Sequence, residues 1–132
     1  MEGADVFIGV SSPDLVSPEM VKRMARSPIV FAIANPNPEI AVDAALEAGA
    51  AIACDGRSLN NALAFPGLLR GALDARARHI DEAMEQAAAE FIAGHIHKHE
   101  VVPDFMHREY HRRLAEAVRD AAVRSGAARV PS

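Results

Sequence analysis

The apolar run Ile29-Val30-Phe31-Ala32-Ile33-Ala34 stops abruptly at Asn35-Pro36-Asn37-Pro38-Glu39. Six apolar residues between breakers read as a strand buried on both faces, the pattern of a parallel sheet with helices on either side. Asn35 then stands at the carboxyl end of that strand, where open α/β sheets bind their ligands. Pro36 disfavours the helical region for Asn35, and Pro38 restricts Asn37 in the same way. The Asn35 carboxamide is therefore aimed by its backbone. It offers donors and an acceptor without charge, which suits a carboxylate or carboxamide ligand that must also leave. The commoner fate of such an asparagine is to cap a helix, here one beginning near Glu39, or to close a turn.

The flanking sequence repeats a strand-helix alternation. Val6 to Val10 is a short apolar run leading into Ser11-Ser12-Pro13, a strand followed by a loop. Ser17-Pro18-Glu19 opens a helix with an N-cap serine and a proline at its first position. That helix runs to about Arg26, with Met20, Val21 and Met24 facing the sheet. Glu39 to Ala48 is a second helix stopped by Gly49, and Ala50 to Cys54 a third strand. The fold class is α/β: a partial Rossmann-like, doubly wound parallel sheet of about three strands. No Gly-x-Gly-x-x-Gly turn occurs to grip a pyrophosphate.

The C-terminal part is helical. Ala62 to Asp74 forms one helix, which Asn60 and Asn61 are placed to cap. Ile80, Met84, Ala87, Ala88, Phe91 and Ile92 mark one face of a second, and Tyr110, Leu114, Val118, Ala121 and Ala122 one face of a third. Val101-Val102-Pro103-Asp104 separates these two. His95 with His99, and His107 with His111, have the spacing that puts two imidazoles on one helix face. A hairpin could bring four of them to a zinc ion, but no cysteine or carboxylate completes a recognised spacing, so no metal ligand is assigned.

Bulk properties exclude several classes. At 132 residues the chain supplies one modest domain's worth of core. A net charge of -4 with mixed signs argues against nucleic acid, which calls for a basic stripe. One cysteine, Cys54, excludes an internal disulfide framework and fits a reducing compartment. No apolar stretch reaches membrane-span length and the first residues lack a signal pattern, which together place the chain in the cytoplasm and away from membranes.

Several stretches in one order carry a family likeness: Gly3-Ala4-Asp5-Val6-Phe7-Ile8-Gly9-Val10-Ser11, Ala34-Asn35-Pro36 with Pro38-Glu39, Gly56-Arg57-Ser58, Asn60-Asn61 with Phe65-Pro66-Gly67, and Arg70-Gly71-Ala72-Leu73-Asp74. Ala121-Ala122 and Ser125-Gly126-Ala127-Ala128-Arg129 extend it. Together they resemble the C-terminal part of the NAD(P)-binding domain of bacterial-type malic enzymes. The resemblance implies that residues 1–78 are the C-terminal half of that domain and 79–132 a helical segment packing on it. It implies substrate contacts from Asn35, Asn60 and Asn61, and cofactor contacts from Val10, Ser11, Ala34 and Asn35. It also implies NAD or NADP as cofactor, and magnesium or manganese held by ligands outside this chain.

Such enzymes oxidise malate to oxaloacetate and decarboxylate it to pyruvate. The family's catalytic tyrosine and lysine, its acidic metal ligands and its glycine fingerprint lie outside the match, so no catalytic residue is assigned and the chain alone is expected to be inactive. Two departures stand out. The loop before Asn60 lacks the family's Pro-Asn-Gln segment, and Asp55 brings a carboxylate near a pocket for anionic ligands, an unfavourable pairing if unscreened. The alternative is a non-catalytic interaction module, whose open sheet edge and apolar helix faces join a second copy or another malic enzyme chain.

Overall fold

Three short strands, Val6–Gly9 (β1), Ile29–Ala32 (β2) and Ile52–Asp55 (β3), lie parallel in the order β1-β2-β3. The structure is a computed structural model and describes residues 1–59, 61–97 and 103–129. It divides into two compact units, Met1–Asn60 and Asn61–Ser132. The first is the expected α/β fold: Pro18–Lys22 (α1) connects β1 to β2, and Val42–Glu47 (α2) connects β2 to β3.

Parallel neighbours demand crossovers, and crossovers of one hand that step the same way across a sheet put their helices on the same face. The core follows. Phe7, Val30 and Ala53 are in register and pack with Ala32 against Val21, Met24, Ala44, Ala45 and Ala48. The opposite face carries Val6, Ile8, Ile29, Phe31 and Ile52, of which Val6, Ile8 and Ile52 are exposed and Ile29 and Phe31 half-buried. β2 is thus fully covered on one face only, where the sequence suggested two. Both helices of this unit lie on one side.

Element ends also differ from expectation. α1 has its N-cap at Ser17, whose Oγ accepts from Met20 N at 3.4 Å, with proline next, but it ends at Lys22 instead of Arg26. Ile33 N still bonds Gly9 O at 2.9 Å, so the ladder runs one bond past β2. α2 starts at Val42 rather than Glu39 because Glu39 is turned inward.

In the second unit a 3-10 turn, Asn61–Leu63, precedes Phe65–Asp74 (α3), Glu82–Gly94 (α4) and Arg108–Ser125 (α5). Asp81 caps α4 by accepting from Met84 N at 3.0 Å, and Gly126, at φ 83°, ends α5. The expected apolar face of α5 is buried at every position, Tyr110, Leu114, Val118, Ala121 and Ala122. α3 meets α5 closely at Gly71, where a Cβ would stand 2.6 Å from Ala115 O. Among the described residues no helix is long and apolar enough to cross a membrane.

Candidate functional site

Parallel strands end at one edge of their sheet. Here that edge is built from Gly9-Val10-Ser11 after β1, Ala34-Asn35 after β2 and Asp55-Gly56 at the end of β3, with Gly9, Ala32 and Asp55 in register. A single side chain ties the first two loops together. Glu39, 1% exposed, accepts from Ser11 N through Oε1 at 2.8 Å and from Ala34 N through Oε2 at 3.2 Å. Burial pushes its carboxyl group upward, but hydrogen bonds from the backbone of Ser11, Glu39 itself and Ala34 outweigh that and hold it below its ordinary value of 4.5. It is ionised at neutral pH. The segment before α1 is strapped to the same loop by Asp14 N to Pro38 O at 3.2 Å and Val16 N to Glu39 O at 3.0 Å.

Asn35 occupies the expected place. It is exposed. The Asn35-Pro36 peptide is cis. The carboxamide lies over Gly56, where a Cβ would stand 3.2 Å from Asn35 Nδ2 and 2.8 Å from Ile33 O. Asn35 caps no helix: the N-cap position of α2 is Ala41, with no side-chain cap bond. Val10, 78% exposed, and Ser11 present their side chains at the edge, while Ala34 is buried and its N–H is committed to Glu39.

The paired asparagines are only partly visible. Asn60 lies outside the described residues, and Asn61 opens the 3-10 turn. The N-cap position of α3 is Ala64, with no side-chain cap bond. Asp55 is held in a local turn. Its Oδ1 accepts from Arg57 N at 3.0 Å and Ser58 N at 3.2 Å, closing the turn after β3.

Among the described residues no group of three or more histidine, cysteine or acidic side chains could hold a metal ion. His95 sits past the end of α4 with Nδ1 2.7 Å from Phe91 O and its ring stacked on Phe91. His107 is the N-cap residue of α5 and pairs through Nε2 with Asp104 at 3.0 Å. His99 and the Val101-Val102 break lie outside the described residues.

The profile of the family described as malic enzyme, NAD binding domain, matches residues 52–123, more than half of the chain. The chain belongs to the malic enzyme family. It is 47% identical to the bifunctional malic/malolactic enzyme of Bacillus subtilis (strain 168) over 96% of its own length and 33% of that protein's. It is 48% identical to the NADP-dependent malic enzyme of Escherichia coli (strain K12), over 77% of this chain and 14% of the relative. The crystal structure of malic enzyme from Pyrococcus horikoshii Ot3 superposes at a TM-score of 0.89 with 38% identity, covering 99% of this chain and 33% of that one.

The chain thus spans about a third or less of the relatives it matches, and its fold is the Rossmann-like fold of malic enzymes. What the sequence reading missed at this edge is Glu39. In the sequence it stands out only as part of a motif and as a helix start. The available signal was its place between Pro38 and the buried Ile40, where a charged side chain has no solvated helix face to occupy.

Proposed function

We propose that this chain is the strand-end portion of a malic enzyme NAD(P)-binding domain, residues 1–78, followed by the helical segment 79–132. In this reading Val10, Ser11, Ala34 and Asn35 border the nicotinamide cofactor, NAD or NADP, and Asn35 with Asn60 and Asn61 orients malate. The observation that carries it is the Asn35 carboxamide, exposed at the carboxyl edge of a parallel sheet, in a chain of this family.

The reaction served is oxidation of malate by hydride transfer to the cofactor and loss of carbon dioxide from the oxaloacetate formed, giving pyruvate. A carboxamide fixes a substrate's orientation but holds no titrating proton near neutral pH. This chain therefore contributes orientation, and as a 132-residue polypeptide on its own it turns over no malate. The magnesium or manganese of the parent reaction finds no fit among the described residues, and no step is assigned to it. The setting is the cytoplasm.

The test is a thermal-shift titration of the purified chain with NAD, NADP and malate plus manganese, beside an assay of nicotinamide reduction. A ligand at about 100 times its Kd stabilises the folded state by roughly 2.7 kcal/mol. A saturable rise of several degrees without turnover is the expected result, and a cooperative melt that no ligand moves overturns the reading.

A second reading rests on a different observation. Val6, Ile8 and Ile52 expose 46%, 63% and 39% of their surface on one sheet face, and among the described residues no strand pairs with the outer edge of β1. Those features suit a non-catalytic module that joins a second copy or another malic enzyme chain. Concentration-dependent sedimentation without any ligand shift would favour it.

A further inference from the structure

We propose that Glu39 is the positioning residue of the strand-end site: its carboxylate sets the spacing of the Ser11 and Ala34 loops, and through that spacing the affinity of the edge for a nicotinamide nucleotide. The consequence for affinity rests on the function proposed above. The loop positioning does not.

The argument begins with cost. A carboxylate that is 1% exposed has surrendered its hydration, and it is kept charged only if its lone pairs find strong donors. The donors Glu39 uses are not cations. They are backbone N–H groups: besides its own, two come from different loops, Ser11 at 2.8 Å and Ala34 at 3.2 Å, one on each carboxylate oxygen. Ser11 is 28 residues away in the chain, so this contact fixes tertiary geometry and not a local turn. The chain makes room for it, since a methyl group on Gly9 would lie 2.5 Å from Glu39 Cδ and Oε1.

The two anchored loops are those that carry the exposed groups of the edge, Val10 and Ser11 on one and Asn35 on the other. Glu39 itself is buried. Only a group with two acceptor oxygens and the reach of a glutamate side chain can hold both N–H groups at once. Glutamine offers one acceptor and turns an NH2 group towards the second N–H, while aspartate keeps both oxygens but is one methylene shorter.

The experiment uses the full chain, labelled with nitrogen-15, as the natural sequence and as Glu39→Gln and Glu39→Asp. Amide hydrogen exchange is followed at Ser11 and Ala34, with Val30 in the buried strand as reference, and each protein is titrated with NADH and NADPH. The expected result is exchange at Ser11 and Ala34 at least about tenfold faster in both variants with Val30 unchanged, and nucleotide affinity weaker by about tenfold, or 1.4 kcal/mol.

Equal exchange in all three proteins overturns the proposal whatever the nucleotide does. Weakened nucleotide binding with unchanged exchange also overturns it, because Glu39 would then act on the ligand and not on the loops. If the natural chain takes up no nucleotide while the variants release both amides, the positioning stands and the nucleotide function falls. Should Glu39→Gln lose its cooperative melt, Glu39→Asp, which keeps the charge, decides the exchange comparison alone.

Discussion

A methyl group placed on Gly9 would stand 2.5 Å from the carboxyl carbon of Glu39 and 2.8 Å from Cζ of Phe7. The end of β1 is therefore filled by a side chain from the loop after β2. Gly9→Ala is expected to destabilise the chain by about 1–3 kcal/mol, the range for overfilling a packed site. The check is a fall in the urea midpoint with an unchanged slope. Val10→Ala, one residue on and exposed, is expected to stay within about 0.5 kcal/mol.

Glu39 also predicts a pH dependence. Its folded-state value lies below the ordinary 4.5, so the unfolded chain binds the proton more readily. The stabilisation is present above pH 4.5 and drains away as pH falls through the folded value. Melting temperatures of the natural chain and Glu39→Gln should differ at pH 7 and converge below pH 4.5. A gap that persists unchanged at pH 3 would show that the charge is not the source of the difference.

Asn35→Ala separates binding from folding. The side chain is exposed, so its removal is expected to move the unliganded melting temperature by little, equivalent to about 0.5 kcal/mol or less. The malate-dependent rise in melting temperature should vanish. Asn35→Asp should abolish it too, by setting a like charge against a dicarboxylate. Loss of the unliganded fold in the alanine variant would point to a structural asparagine instead.

Gly71→Ala in α3 sets two effects of opposite sign against each other. Helix propensity alone favours alanine by about 1 kcal/mol. The new Cβ, however, would lie 2.6 Å from Ala115 O and 2.7 Å from Val118 Cβ, and a backbone oxygen cannot rotate out of the way. Packing is expected to win, with a net loss of about 1–2 kcal/mol. Gly94→Ala, at the end of α4 with nothing within 4 Å of its would-be Cβ, is the control and should gain a few tenths of a kcal/mol. Circular-dichroism melts of both variants give the signs directly.

Much of this fold could be read from local chemistry. Ser17-Pro18-Glu19 announced α1, and the spacing of Tyr110, Leu114, Val118, Ala121 and Ala122 announced the buried face of α5, because a cap and a helical period are written in neighbouring residues. Ladder ends were harder. Val10, Ile33 and Ala34 are as apolar as the strands they follow yet lie outside β1 and β2, since apolar identity alone does not mark where strand pairing stops. The edge position of Asn35 was legible from the proline that follows it. The role of Glu39 was not, because its partners are main-chain groups, 5 and 28 residues distant, that look alike in every sequence.

The register of the sheet has one more consequence, for the order of folding. Val6 is paired with Ile29 and Ile29 with Ile52, and the same number of residues separates each pair. The chain-closure entropy of the two pairings is therefore nearly equal, and neither strand has a topological head start. What distinguishes them is β2, which both need. A lesion in Val30 should slow both closures together, whereas one in β1 or β3 should leave the opposite βαβ unit free to form at its own rate.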